Sequence, residues 1–159
     1  MSMCAPILAA EDEETDCLLL RMALKKSGLQ NPLFIAQDGQ DAVDYLSGVP
    51  PYRDRVTHPF PGLLLLDLKM PRMNGFEVLA WLAERPTFQT LPVVVLSSST
   101  NDSDIKKARQ LGAREYLVKP NDFRKLTKIL QDLAARWLNG GTAEVPRTSE
   151  VDSASVTNV

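Results

Sequence analysis

Four apolar runs in this sequence end in residues able to do chemistry. Ala5–Ala10 runs into the acidic pair Glu11 and Asp12. Leu63–Leu66 ends in Asp67, Pro92–Leu96 ends in Ser97 with Ser98 and Ser99 behind it, and Glu115–Val118 ends in Lys119. In open parallel α/β sheets, ligands bind beyond the carboxyl ends of the strands. If these runs are strands of such a sheet, three carboxylates, a hydroxyl and an ammonium meet at one edge. Clustered carboxylates repel one another and shift upward in pKa unless a cation compensates them. Mg²⁺ suits such a cluster, because it takes oxygen ligands, needs only one or two carboxylates and keeps several waters. A metal held there polarises a phosphoryl group. Asp67, alone at the end of its run, is then placed to attack phosphorus and form an acyl phosphate. Ser97 can hydrogen-bond one phosphoryl oxygen and Lys119 can neutralise another. Positioning and charge stabilisation supply most of the catalysis in such a transfer.

The elements needed to bring these residues together are legible between them. Thr15–Ser27 is rich in helix formers and stops at Gly28. Leu33–Ala36 is a second apolar run, and Asp38–Ser47 carries Ala42, Val43 and Leu46 at helical spacing before Gly48. Leu63–Leu66 is continuously apolar, as in a strand covered on both faces. Asn74 caps a helix over Gly75–Glu84, whose apolar face holds Phe76, Leu79 and Leu82. Asn101 or Asp102 caps a helix with Ile105, Ala108 and Leu111, closed by Gly112. Asn121 or Asp122 caps the last helix, whose face runs Phe123, Leu126, Ile129, Leu130, Leu133 and Trp137. Five strands alternating with five helices predict a doubly wound parallel sheet with helices on both faces.

The domain expected from this alternation covers residues 5–138. Gly48–Pro61 holds Pro50, Pro51, Pro59 and Pro61, and reads as a long, stiff connection. Asn139–Val159 is rich in Ser and Thr and lacks apolar periodicity, so a flexible tail with no output domain is expected there. The 159 residues carry 18 basic and 20 acidic side chains, a net charge of −2 that gives no sign of a nucleic-acid face. No apolar run approaches a membrane span, and Met1–Pro6 lacks the basic start of a signal peptide. The two cysteines, Cys4 and Cys17, cannot build a disulfide framework or a four-thiolate metal site, which favours a cytoplasmic setting.

Taken together, Glu11-Asp12, LLLLDLKMPRMNGFEVL (63–79), LPVVVLSSS (91–99) and GAREYLVKP (112–120) resemble the receiver domain of two-component response regulators. The resemblance extends over essentially all of residues 5–138 and implies the flavodoxin-like receiver fold. It implies Asp67 as the phosphoacceptor, charged by a sensor histidine kinase, with Mg²⁺ held by Glu11, Asp12, Asp67 and the backbone carbonyl of Lys69. It gives Ser97 as the switch hydroxyl, Tyr116 as the switch aromatic and Lys119 as the phosphate-sensing lysine. It also implies a cis peptide bond at Lys119–Pro120. The proline-rich connection, the Tyr45-Leu46 helix end and the terminal Arg136-Trp137-Leu138 are similar to stand-alone regulators that partner bacterial phytochromes and related kinases. The small Ala9-Ala10 pair departs from the bulkier residues common there.

Plainer roles suit several residues. Glu13 and Glu14 fit as complements of a helix dipole. Ser98 and Ser99 fit a capping loop, and His58, without metal or triad partners, fits a solvated loop. Cys17 reads as a small core residue, and Trp137 as core or as an anchor for a partner. An aspartyl-phosphate-forming phosphohydrolase is the enzymatic alternative, but the second acid such enzymes carry two residues after the nucleophile is here Lys69. A constitutive binding module with an unused pocket is the third reading. The expected output is contact with a phosphotransfer or effector protein, with homodimerisation through the last helix as a further expectation. No nucleic-acid or membrane partner is expected, and no enzymatic role beyond slow self-dephosphorylation.

Overall fold

The computed structural model describes residues 4–138. Its elements, in chain order, are β1 (Ile7–Ala10), α1 (Glu14–Ser27), β2 (Leu33–Ala36), α2 (Gly39–Ser47), β3 (Leu63–Leu66), α3 (Gly75–Ala83), a 3₁₀ turn (Pro86–Phe88), β4 (Val93–Ser97), α4 (Asp102–Gln110), β5 (Glu115–Val118) and α5 (Phe123–Trp137). The five strands form one parallel sheet in the order β2-β1-β3-β4-β5. The chain moves from β1 out to β2 and then returns to the other side of β1 as β3. Ligand sites in doubly wound sheets lie at such a reversal.

Alternation along each strand feeds two cores. Leu8, Leu64, Leu66, Val93 and Val95 pack beneath α2, α3 and Ala108 of α4. Ile7, Ala9, Leu63, Leu65, Val94 and Leu96 pack against Leu20 and Leu24 of α1 and Leu126, Leu130 and Leu133 of α5. Strands buried on both faces are continuously apolar for this reason. Helix starts follow the local sequence: the side chains of Asp38, Asn74, Asn101 and Asp122 each accept a backbone N–H, and Asn74 with Glu77 completes a capping box. Gly28 and Gly48 close α1 and α2 with φ of 82° and 73°.

The fourth strand runs Val93–Ser97, one residue later than the sequence suggested. Pro92 has no N–H to give a ladder and contributes only its carbonyl, to Leu64, while Ser97 pairs with Val118.

The connection between α2 and β3 is pinned from several sides. The Tyr45 hydroxyl donates to the Pro59 carbonyl at 2.9 Å, and the Tyr52 hydroxyl donates to Asp41 at 2.6 Å. Arg55 donates to the carbonyls of Leu46 and His58. His58 is not solvated as expected. Its ring lies edge-on to Tyr45 and Tyr52, and its Nδ1 is buried. The aromatic residues of α2 and the connection itself draw it in. The tail expected over 139–159 lies outside the described residues.

Candidate functional site

The residues after β1 and β3 converge because those strands are neighbours in register, Ala10 beside Leu66. The Asp67 N–H donates to the Ala10 carbonyl, and the Glu11 N–H donates to the Ala36 carbonyl. Immediately after Asp67 the chain must fold back against the start of α3. A Cβ at Gly75 would collide with the Asp67 carbonyl, so glycine is required at this close approach.

Glu11, Asp12 and Asp67 each bring a carboxylate oxygen into a cluster whose members lie within 4.8 Å of one another. Glu11 and Asp67 are buried and Asp12 is exposed. Lys119 reaches in from the end of β5: its Nζ lies 2.6 Å from Glu11, 2.7 Å from Asp16 and 3.3 Å from Asp67. Its backbone N–H donates to the Ser97 carbonyl, which ties the ends of β4 and β5 together. Four carboxylates against one ammonium leave a formal excess of three negative charges. Burial, with the Asp67 charge beside it, pushes the Glu11 carboxyl up to about 7 even though Lys119 opposes the shift. Burial works against the Lys119 ammonium too, but hydrogen bonds to Asp16 and Glu11 outweigh it and hold that group above the usual lysine range. The all-oxygen, anion-rich donor set fits a hard divalent cation. A cleft of about 810 Å³ opens beside Glu11 and Asp12, bordered by Arg21, Asp38 and Pro71.

Ser97 is buried at the end of β4, and its Oγ accepts the Ser99 N–H at 3.2 Å. Tyr116 is buried on β5, and its hydroxyl donates to the Ser99 carbonyl at 2.9 Å. Ser99 Oγ donates to Asp104 of α4 at 2.7 Å. Ser99, read from sequence as a capping residue, thus joins Ser97, Tyr116 and α4. Lys69 lies exposed in the loop after Asp67.

The expected cis bond is corrected. Among the described residues, the cis peptide bond is Pro50–Pro51; Lys119–Pro120 is trans. Trans is the lower-energy form of an X–Pro bond by about 0.5–1 kcal/mol, and the Lys119 ammonium reaches all three carboxylates with it. Cys17 is also not a core residue: it is half-buried on α1, and its thiol donates to the Glu11 carbonyl at 3.5 Å.

Asp16 and the Asp38–Arg72 pair went unread in the sequence. Asp16 lies four residues after Asp12, one helical turn on, a spacing that would have placed it near the acidic pair. Arg72 grips Asp38 with Nε at 2.7 Å and a second nitrogen at 3.0 Å, across two loops with no periodic signal between them.

A profile of the response regulator receiver domain matches residues 7–131. The chain belongs to the response regulator receiver family. The response regulator Rcp1 of Synechocystis is 36% identical over 132 residues, which cover 83% of this chain and 88% of Rcp1. The crystal structure of Mn²⁺-bound Rcp1 is similar with a TM-score of 0.75 and 34% identity, covering 90% of this chain and 99% of that one. The phosphorylated cyanobacterial phytochrome response regulator RcpA is similar with a TM-score of 0.78 and 32% identity, covering 91% and 100% of the two chains. The five-stranded sheet is therefore the flavodoxin-like receiver fold, and the acidic cluster of this receiver sits where its strand order reverses. No helix among the described residues of the receiver is long and apolar enough to cross a membrane.

Proposed function

We propose that this receiver, spanning residues 5–138, takes a phosphoryl group from a phosphohistidine of a sensor kinase onto Asp67 and signals by the change that follows. An Asp67 carboxylate oxygen attacks phosphorus, the P–N bond breaks, and the imidazole leaves with the electron pair. Glu11, Asp12, Asp67 and the Lys69 carbonyl would hold Mg²⁺, which polarises the phosphoryl group and offsets its charge. Lys119 donates to a phosphoryl oxygen, and Ser97 turns its hydroxyl toward another. The observation that carries this reading is the packing of buried Asp67 against both the Lys119 ammonium and the Glu11–Asp12 pair at one edge of the sheet.

A phosphoryl group at Asp67 draws Ser97 from the Ser99 N–H. Ser99 also holds the Tyr116 hydroxyl and Asp104, so the local charge change biases the outer face of α4, β5 and α5. That face would meet a protein partner, either a phosphotransfer protein or an effector, or a second copy of the chain through α5. The similarity to RcpA favours a phytochrome-type histidine kinase as donor and hence a cytoplasmic setting. The receiver acts as a phosphoacceptor rather than a turnover enzyme, because Lys69 stands where such enzymes carry their acid/base carboxyl.

Transfer of radiolabel from acetyl phosphate or a phosphorylated histidine kinase tests the reading. Labelling should require Mg²⁺, stop with chelator and vanish in Asp67→Ala. Undiminished labelling of that variant would overturn the role of Asp67.

A further inference from the structure

Lys119 has three N–H donors, and three carboxylates take them. Asp67, the group it must serve, is the farthest of the three at 3.3 Å, against 2.6 Å for Glu11 and 2.7 Å for Asp16. A phosphoryl group arriving at Asp67 brings new acceptor oxygens, so one existing bond must lengthen or break. Glu11 is a poor bond to surrender, since its side chain is only 8% exposed and would be left buried without a cation, held by the Glu13 N–H alone. Asp16 differs: its side chain is 34% exposed, at the rim of α1, where water can replace the lysine. An acid in the first turn of a helix also complements the helix dipole, but Glu14 already supplies that on α1. Asp16 alone among the first-turn acids of α1 holds Lys119.

We propose that Asp16 is a positioning residue that competes with Asp67 for the Lys119 ammonium in the resting protein and so sets the threshold for occupying Asp67 with a phosphoryl group. The inference rests on Asp67 as phosphoacceptor. It makes Asp16 a competitor of the phosphoryl group for one ammonium, so removing its charge strengthens anion binding. A purely structural role gives the opposite sign, because loosening α1 or the lysine weakens the site.

The test is a titration with beryllofluoride, a tetrahedral mimic of an aspartyl phosphate, at saturating Mg²⁺ and followed by amide NMR shifts. The variants are Asp16→Asn, Asp16→Glu, Glu14→Gln and Asp67→Ala. A partly exposed ion pair sets the size of the effect, so Asp16→Asn should bind about threefold more tightly than the wild type. Asp16→Glu, which restores the charge, should return toward the wild-type constant. Glu14→Gln removes a neighbouring charge that does not hold the lysine and should change nothing. Equal or weaker binding by Asp16→Asn overturns the proposal. So does an equal gain in Glu14→Gln, which would show general repulsion rather than a tether. If the wild type itself fails to bind, or Asp67→Ala binds equally well, the phosphoacceptor reading is what has failed, and the two failures are told apart in the same titrations.

Discussion

Two groups of charge sit at the same edge of this sheet and behave in opposite ways. At one, Asp38 meets Arg72, one anion with one cation, in a two-pronged contact. Asp38 also caps α2 through the Asp41 N–H. Burial works against its ionised form, but the Arg72 guanidinium and these backbone donors win and hold the Asp38 carboxyl below the usual aspartate range. At the other, Lys119 faces three carboxylates with Asp12 beside them, and Glu11 is pushed up instead. All three carboxylates are removed from solvent, Asp38, Glu11 and Asp67 being 8%, 6% and 7% exposed. What offsets that burial differs: Asp38 has a cation of its own, whereas Glu11 shares one with Asp16 and Asp67, and its burial prevails. A matched pair fastens the β3–α3 loop to the start of α2, and an unmatched cluster keeps an excess of negative charge at the sheet edge.

The strongest way to break this contrast is with Mg²⁺. A ligand at a hundredfold its dissociation constant stabilises the state that binds it by about 2.7 kcal/mol. The melting temperature of the wild type should therefore rise from EDTA to Mg²⁺. Asp67→Asn should lose most of that rise and should itself be more stable than the wild type in EDTA, because it removes surplus negative charge. Arg72→Ala should keep the full rise. An equal Mg²⁺ response in Asp67→Asn would mean that the cation binds elsewhere.

Removing the lone cation of the unmatched cluster comes next in size. Lys119→Ala leaves Glu11 and Asp67 buried without a cation, each keeping one backbone N–H donor. The cost in EDTA should be about 1–3 kcal/mol, less than for a fully enclosed pair because water reaches the rim of the site. Urea unfolding measures it, and Mg²⁺ should recover part of the loss.

The pH dependence should then differ in sign between the two corners. Glu11 has a folded value of about 7 against an ordinary 4.5, so between these limits the folded state binds the extra proton. Its contribution to stability in the metal-free protein should fall as pH rises through that window, and Glu11→Gln should flatten the slope. Asp38 is depressed below 3.8, so its contribution is present above that pH and is lost as pH falls through the folded value. Asp38→Asn should flatten the acid limb alone. A Glu11→Gln variant with the wild-type slope between 4.5 and 7 would show that burial does not govern this carboxyl.

Both corners lie on loops, yet only one was legible in the sequence. Strand ends follow from apolar runs, and Glu11, Asp12, Asp67, Ser97 and Lys119 each directly follow or close one, so the edge rule collected them. Asp38 and Arg72 are 34 residues apart, and their contact depends on how two loops pack, including Arg72 at φ 63°. No period in the chain encodes that. Asp16 was hidden differently: it reads as one more acid at a helix start until the end of β5 is placed across from it. The Gly48–Pro61 connection was legible as long and stiff from its prolines. The pocket its aromatic residues make around His58 was not, because those contacts form only when the loop lies back on α2.

The smallest effect tests the link between the unmatched cluster and the outer face. Tyr116→Phe keeps the ring and removes one hydroxyl, whose bond goes to the Ser99 carbonyl. A single neutral hydrogen bond contributes about 0.5–1.5 kcal/mol, and the ring's packing should survive, so the stability loss should lie in that range. The variant leaves every charge in place, so its Mg²⁺ response should equal that of the wild type. If Ser99 is the joint that ties β5 to the start of α4, its neighbours should loosen as well. Hydrogen exchange of the Ser103 and Asp104 amides, at the first turn of α4, should quicken while those of α2 stay unchanged. Unaltered exchange at α4 would separate Tyr116 from the cluster and confine it to packing, and the route from Asp67 to the outer face would then have to run through Ser97 and the β4–α4 loop without it.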